Sequence, residues 1–540
     1  MSVSESEPQA MEHSISTESS DTPDPIPLEP SREEQQALEE LQAVQAAAID
    51  VSVNGLWDAH PKLSARSRLS LGQRVGLILV SVVLVGAFWL APILTGTILM
   101  STAMVIYTAV LGMRIDLMAR SSGNDRYSFT DEELAALTDD DLPTFTILVP
   151  AYREPEVLPH LVDHLAVLDY PAEKLQIRLL LESNDPETQA AAAAMHLTAP
   201  FEVVVVPPGG PQTKPKALNY ALLTSTGDIV SIYDAEDRPD PLQLRKVAAT
   251  LLRCGPEVAC VQGELAYFNA DENLITRWFA TEYRMWFTQF LPSLSRVNAP
   301  IPLGGTSNHF RRDLLVQLGA WDPFNVTEDA DLGIRLRRQG YRVAVLDSTT
   351  YEEANTDFVN WIKQRSRWYK GYAQTWLVHM RQPRQLLRDV GLAGFIRFNL
   401  FVGGTPLLAT VNPISWILLV MWFTLKPQFI VDIMPAPIYY AGLFGWLVGN
   451  FVFYYLNLQV AYEAGLRRVF RAALVLPLYW VMMSLAAVKA FVQLLFNPSY
   501  WEKTQHGLSR QGPAAASVVV TPPSEPGSPP ARSVPIDHTQ

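Results

Sequence analysis

The chain has 540 residues, 48% hydrophobic and 18% charged, with a formal net charge of -13. That length points to several parts rather than one core. Thirteen of its acids stand in residues 1–60 against one base, Arg32, so the remainder is near neutral and has no basic surplus for nucleic acid.

The two cysteines, Cys254 and Cys260, show neither metal-ligand spacing nor a disulfide framework, which fits a reducing, cytosol-facing location. The acidic opening lacks the basic-then-apolar form of a cleavable secretion signal.

In chain order, residues 1–65 are rich in Ser, Glu, Asp and Pro and are expected to form an acidic disordered tail. One solvated helix is expected in it, at "SREEQQALEELQAVQAAAI". There Ser31 and Glu34 make a capping-box pattern before strong helix formers. From Val75 to Met113 no charge occurs. This run is long enough for two membrane helices, at about 20 apolar residues each, with the turn at Pro92. Arg66, Arg68 and Arg74 precede the pair and Arg114 and Arg120 follow it. The positive-inside rule then puts both flanks in the cytoplasm. The alternative, a buried soluble hairpin, runs against the rarity of such uncharged runs in soluble folds.

Residues 125–390 alternate short apolar runs with helical patterns. "FTILVP" (145–150), "IRLLLE" (177–182), "FEVVVV" (201–206), "DIVSIYD" (228–234), "VACVQGE" (258–264) and "YRVAVLD" (341–347) read as strands. Such alternation predicts an α/β domain with a mostly parallel sheet. Apolar blocks return at 394–424, 436–459 and 471–496, giving a membrane region over 394–496. Residues 511–540 are rich in Pro and Ser and are expected to be a disordered tail.

The chemistry gathers at strand ends. "YDAED" (233–237) closes a buried strand with three carboxylates. Asp234 and Glu236, two apart, can share a hard cation such as Mg²⁺ or Mn²⁺. The plain alternative is an Asp-rich turn before "RPDP". Glu182 and Asp185 end another strand, Glu154 follows a third, and Glu328 and Asp329 open a helix. Capping alone explains the last pair. Four acidic clusters at the edges of one sheet are explained together by a site for metal and a phosphorylated ligand.

Seven segments occur in a telling order: "VPAYREP", "LLLESND", "TKPKALNYAL", "YDAED", "LGGTSNHFRRD", "TEDADLG" and "QRSRW". In this series the chain resembles the membrane-bound family 2 glycosyltransferases, inverting GT-A enzymes that include bacterial cellulose synthase and other β-glycan synthases. The resemblance spans roughly residues 140–375 and the flanking apolar blocks. It implies a cytosolic GT-A domain at 125–390 between transmembrane helices, in a multi-pass protein of the plasma (inner) membrane. The partners implied are a UDP-sugar, with UDP-glucose as default, a glycan acceptor and the bilayer.

The resemblance also implies roles. Tyr152, Glu154 and one of Glu182 or Asp185 would hold uracil and ribose; Glu182 departs from the usual Asp. Asp234 with Glu236, or with Asp237 in its place, would hold Mg²⁺ or Mn²⁺ on the diphosphate, near Lys214. Asp329, beside Glu328, would be the general base. In "QRSRW", Gln364 would line the site, Arg365 and Arg367 would pair with phosphate oxygens, and Trp368 would stack on a sugar. His309 is expected to be a structural hydrogen-bonder.

The implied activity is a metal-dependent, inverting hexosyltransferase that extends a β-glycan processively and threads it through its membrane helices. The alternatives are single transfer to a lipid carrier, or a catalytically dead envelope-assembly scaffold. Residues 497–510 include "WEKTQHG", which resembles the gating loop Phe-x-Val-Thr-x-Lys-Gly of cellulose synthases. Trp501, Thr504 and Gly507 align with it; Lys503 and His506 depart. For that loop to reach a cytosolic site the crossings must be even in number. Either 394–424 breaks near Gly403, Gly404 or Pro406, or 471–496 is interfacial or re-entrant rather than a third span. Pro477, Lys489 and the preceding Arg467, Arg468 and Arg471 favour the second.

Overall fold

Aliphatic runs bounded by turn residues form strands. In the computed structural model, which describes residues 32–120, 126–463, 467–498, 500 and 502, there are eight. They are β1 (Phe145–Ala151), β2 (Leu175–Glu182), β3 (Phe201–Val206), β4 (Ile229–Ile232), β5 (Arg238–Pro239), β6 (Val258–Tyr267), β7 (Asn308–Arg311) and β8 (Arg342–Glu352). They make one sheet in the order β3-β2-β1-β4-β7-β6-β8-β5. β1, β2, β3 and β4 pair in parallel, as do β6 and β8. β7 runs antiparallel to both β4 and β6. Successive side chains feed opposite cores: Ile147, Val149, Ile177 and Leu179 join one buried cluster, and Leu148, Leu180 and Val230 the other. The expected strands are all present. β7 was not foreseen, because "NHFR" lies in a Gly-rich stretch, and β8 runs five residues past the expected Asp347.

The N-terminal expectation needs correcting. Arg32–Ala59 is a single 28-residue helix, α1, and its second half is not a solvated tail. Val53 and Leu56 are buried. Asn219 Nδ2 donates to Ser52 O at 2.9 Å. Asp322 accepts from Ser64 Oγ at 3.1 Å and from Ala65 N at 2.5 Å. Leu56 packs on Gly319, whose φ is +78° and where a Cβ would come within 2.8 Å of Leu56 Cδ1. Composition averaged over the acidic segment hides this apolar stripe. Ser31, half of the expected capping box, lies outside the described residues.

α2 (Leu71–Leu90) begins at a capping box of Ser70 and Gln73 and exposes its apolar surface throughout. α3 (Pro92–Arg120) follows after a break at Ala91, next to the expected turn. Within the domain come α4 (Pro186–Ala194), α5 (Lys214–Leu222), α6 (Leu274–Met285), α7 (Glu328–Arg338) and α8 (Phe358–His379). α9 (Pro383–Phe398) continues through a wide turn at Asn399–Gly403 into α10 (Gly404–Thr424). α11 (Ala436–Glu463), α12 (Arg467–Ala473) and α13 (Leu476–Phe496) follow, and shorter helices fill the connections.

Five helical stretches among the described residues are long and apolar enough to cross a membrane: Leu71–Leu90, Pro92–Arg120, Pro383–Thr424, Ala436–Tyr462 and Leu476–Phe496. α13 is one of them by length and composition, yet both of its ends are tied to the domain. Trp278 Nε1 of α6 donates to Ala472 O at 2.8 Å. Gln374 Nε2 and Lys370 Nζ of α8 donate to Pro498 O at 2.9 Å and Tyr500 O at 2.5 Å. Glu502 accepts from Lys489 Nζ at 2.7 Å. Trp501, Lys503, Thr504, His506 and Gly507 of the expected gating loop, and residues 511–540, lie outside the described residues.

Leu56→Ala should lower the stability of the domain by about 2–5 kcal/mol, the usual range for emptying a buried Leu site. Denaturant unfolding followed by tryptophan fluorescence measures it. A change below about 0.5 kcal/mol, typical of surface substitutions, would mean that α1 is not part of the folded unit.

Candidate active site

The carboxyl ends of β1, β2, β4 and β8 meet the N-terminus of α7 and one face of α8 around a cavity of about 960 Å³. Tyr152, Glu154, Glu182, Lys214, Asp234, Glu236, Glu328, Asp329, Gln364, Arg365, Arg367 and Trp368 all contribute to its wall. Residues more than 200 positions apart in sequence are thereby brought together. Two expected site residues do not line it.

Asp185 is one. It caps α4, accepting from Thr188 N at 3.3 Å, and its other oxygen accepts from Arg153 N at 2.5 Å. Its carboxylate therefore shapes the loop that carries Tyr152 and Glu154. Asp237 is the other. It is fully buried, and its Oδ2 accepts from Asp234 N at 2.7 Å and from the Thr306 hydroxyl. Burial, then the charges of Asp234 and Glu236, push its pKa well up. It braces the turn from beneath and does not stand in for Glu236.

Of the remaining acids, Glu182 pairs with the buried Lys216 at 2.8 Å. Burial raises its pKa, and the Lys216 contact pulls against that shift. Asp234 pairs with Lys214 Nζ, which also donates to Gly305 O at 2.8 Å. Burial pulls the Lys214 ammonium down, but Asp234 and Glu328 more than offset it and hold it above the ordinary lysine range.

Asp329 sits against Gly305, where an added Cβ would lie 3.2 Å from Asp329 Oδ2. Its Oδ1 accepts from Ala330 N at 2.7 Å. Burial raises its pKa; the Ala330 N–H, Lys214 and Arg367 act in the opposite direction. Glu328 is pushed up to about 7 by burial and then by the charge of Asp329. A carboxylate with a raised pKa in a cleft is suited to moving a proton.

α7 is held to α8 by a buried network. Asp331 accepts from Arg335 Nε at 2.8 Å and lies 3.0 Å from His379 Nε2. Arg335 also donates to Leu318 O at 2.7 Å and Ala320 O at 2.6 Å. The helices approach closely at Gly371, where a Cβ would come within 2.2 Å of Thr327 Oγ1.

On α8, the two "QRSRW" arginines differ. Arg365 departs from the phosphate role: its guanidinium makes two bonds to Glu282, at 2.8 and 2.6 Å, and one to Tyr479 OH at 3.1 Å. Arg367 faces the charges of Glu328, Asp329 and Asp234, and burial lowers its pKa. Trp368 stacks on Tyr283 with centroids 5.9 Å apart and an interplanar angle of 27°. Gln364 accepts from Asn355 Nδ2 at 2.8 Å. His309 is buried 2.7 Å from Ser231 Oγ, and burial depresses its pKa to about 3, as a structural role requires.

Sequence reasoning missed Glu352 at the end of β8. It lines the cavity, and its Oε1 is buried without a hydrogen-bond partner among the described residues. Burial, then Asp237, Glu236 and Asp234, push its pKa well up. The signal was available in "TTYEEAN": acids at a strand end, obscured by ending that strand at Asp347. Glu282 was missed as well. Nothing in "TEYRMW" marks it apart from a surface helix.

Residues 143–371 match the model of a family described as "Glycosyltransferase like family 2". The chain is 28% identical over 262 residues to the beta-monoglucosyldiacylglycerol synthase of Synechocystis sp., a match covering 47% of this chain and 54% of that one. It is 26% identical over 293 residues to glucomannan 4-beta-mannosyltransferase 2 of Arabidopsis thaliana, covering 51% and 54%. The chain thus spans about half the length of these curated relatives. Among solved structures it is similar to the mannosyltransferase PcManGT from Pyrobaculum calidifontis in complex with GDP-Man and Mn²⁺. That likeness has a TM-score of 0.47 and 18% identity, over 74% of this chain and 99% of that one. Over residues 143–371 the chain is therefore similar to family 2 glycosyltransferases, and the mixed sheet with its acidic strand ends lies within that segment.

Proposed function

We propose that this chain transfers a sugar from a UDP-sugar, with UDP-glucose as default, to a growing β-glycan, with inversion at the anomeric carbon. The observation that carries the reading is the continuity of the cavity. It begins at Asp234, Glu236 and Asp329 and extends between α3, α10, α11 and α13, where Asn412, Trp416, Asn450 and Tyr454 line it. Amide and aromatic side chains offer hydrogen bonds and flat faces, the chemistry a sugar chain requires. Such a corridor suits a product that leaves through the helices as it is made.

In this reading Tyr152, Glu154 and Glu182 hold the nucleoside. Lys214 and Arg367 face the diphosphate, and Trp368 presents its ring to the sugar. Asp329 takes the proton from an acceptor hydroxyl as that oxygen attacks from the side opposite the leaving UDP. Partial desolvation beside Gly305 keeps its basicity high.

The residues present fit a divalent cation. Among the described residues no group of three or more His, Cys, Asp or Glu forms a complete metal site. Two cavity-facing carboxylates, Asp234 and Glu236, suit Mg²⁺ or Mn²⁺ shared with phosphate oxygens. The unpartnered Glu352 Oε1 lies on the same wall. When bound, the cation would neutralise charge on the departing UDP.

The ties at both ends of α13 favour a course along the membrane surface over a crossing. A 21-residue helix spans about 31 Å at 1.5 Å per residue, so a crossing would carry one end far from the domain. With α10 and α11 as a pair of crossings, the segment after α13 returns to the face that carries the active site, which we assign to the cytoplasm.

Single transfer to a lipid is the second reading. The opening of the cavity among apolar helices favours it, as does the relative named for glucosyldiacylglycerol synthesis. Radiolabelled donor supplied to purified protein in lipid separates the two. We expect a polymer retained by a size cut-off; a single-sugar lipid as sole product would favour the second.

Asp329→Asn should lower turnover by about 10²–10⁴-fold, the range for a general base, and leave the affinity for UDP nearly intact. Near-normal turnover would place the base elsewhere. In the parent, because the Asp329 carboxyl is raised, the rate should fall as pH drops through a range above that of an ordinary aspartate. A flat profile down to pH 4 would contradict this assignment.

Asp234→Ala should abolish cation-dependent UDP binding in calorimetry, and a chelator should do the same to the parent. Full transfer in excess chelator would exclude the cation.

A further inference from the structure

Arg114 stands out once the cavity is described. From sequence it reads as a charge flanking a membrane helix. In the structure it lies on α3 with its side chain on the cavity wall. Its guanidinium is 5.3 Å from the centre of the Phe453 ring. It makes no hydrogen bond or ion pair with the described residues.

The acid that acts on it is already engaged by other donors. Arg114 shares its electrostatic surroundings with Glu282, Tyr369 and Tyr107. Glu282 already accepts two bonds from Arg365 and one from Tyr479 OH at 2.5 Å. Two guanidinium groups therefore face one carboxylate, and a full positive charge is left over. The excess belongs to the corridor, where the polar lining is otherwise neutral: Asn412, Asn450 and Tyr454.

A neutral sugar needs only those amides and hydroxyls. An uncompensated cation in a low-dielectric setting is costly unless it is paired. A guanidinium matches carboxylate and phosphate oxygens with two parallel bonds, and a ring face beside it fixes its plane. We propose that Arg114 forms an anion subsite in the corridor, taking a carboxylate or phosphate group carried by the acceptor. This rests on the cavity being a donor site continued by an acceptor corridor. It goes further, because it makes the acceptor charged.

The test is binding without donor, read by tryptophan fluorescence on the full chain in lipid nanodiscs. Two probe pairs are used: cellotriose against the same trisaccharide ended by glucuronate, and a polyprenol against its phosphate. In one pair the anionic member should bind about tenfold tighter. That pair tells a carboxylated glycan from a phosphorylated lipid. Arg114→Gln should remove the preference. Arg114→Lys, which keeps the charge and loses the fork, should retain part of it. Equal binding within both pairs in the parent chain overturns the proposal whether or not the variants fold. So does a preference that survives in a folded Arg114→Gln protein. Loss of UDP-sugar hydrolysis by the parent would count against the glycosyltransferase reading alone, since these titrations contain no donor.

Discussion

The site depends on how α7 is fixed to α8. Asp331, Arg335 and His379 are buried together, and each has its polar atoms engaged. Breaking one partner of such a network leaves a charge stranded in the interior, which costs about 3–5 kcal/mol. The network therefore sets the position of α7. Because Glu328 and Asp329 open that helix, and Arg367 and Trp368 lie on α8, it also sets the distance between the proposed base and the proposed sugar platform. Gly371 permits the contact by leaving room for Thr327.

Around this clamp, charge is arranged so that each acid has a different fate. Asp185 is consumed by backbone donors, and Asp237 is held through Oδ2 while its Oδ1 stays buried without a partner among the described residues. Glu182 is paired with Lys216, which only partly offsets its burial, and Asp234 is met by Lys214. Glu328, Asp329 and Glu352 keep raised pKa values because burial is not fully offset. The first group holds the loops still. The last is where a proton can be exchanged. A cluster that looks uniform as a list of Asp and Glu is thus divided by its local donors.

This division explains what the sequence could and could not show. The strands were legible because aliphatic runs bounded by turns have few other uses. The acidic strand ends were legible because several carboxylates at one sheet edge are costly. Which of them face the cavity was not legible. Asp234 and Asp237 are three residues apart in one turn, and the Thr306 hydroxyl, reached through a separate strand connection, joins the Asp234 N–H in drawing Asp237 inward. Arg365 likewise lost its expected role to Glu282, an acid 83 residues away whose position on α6 no local pattern reveals. The helical stripe of α1 was overlooked because acidic composition was averaged over a segment whose last turns, at Val53 and Leu56, are buried.

The docking of the last turns of α1, from Ser52 on, also bears on how the chain is threaded. Ser52, Ser64 and Ala65 precede α2, while Asn219 and Asp322, to which they bond, follow α3. Chain before the first apolar helix and chain after the second must therefore share one face of the bilayer. If α2 and α3 cross, they can do so only as an out-and-back pair. This bookkeeping needs no charge rule, since hydrogen bonds linking residues more than 160 positions apart enforce it. It also means that α1, made first, must wait for residues synthesised after both apolar helices before its own apolar stripe is covered.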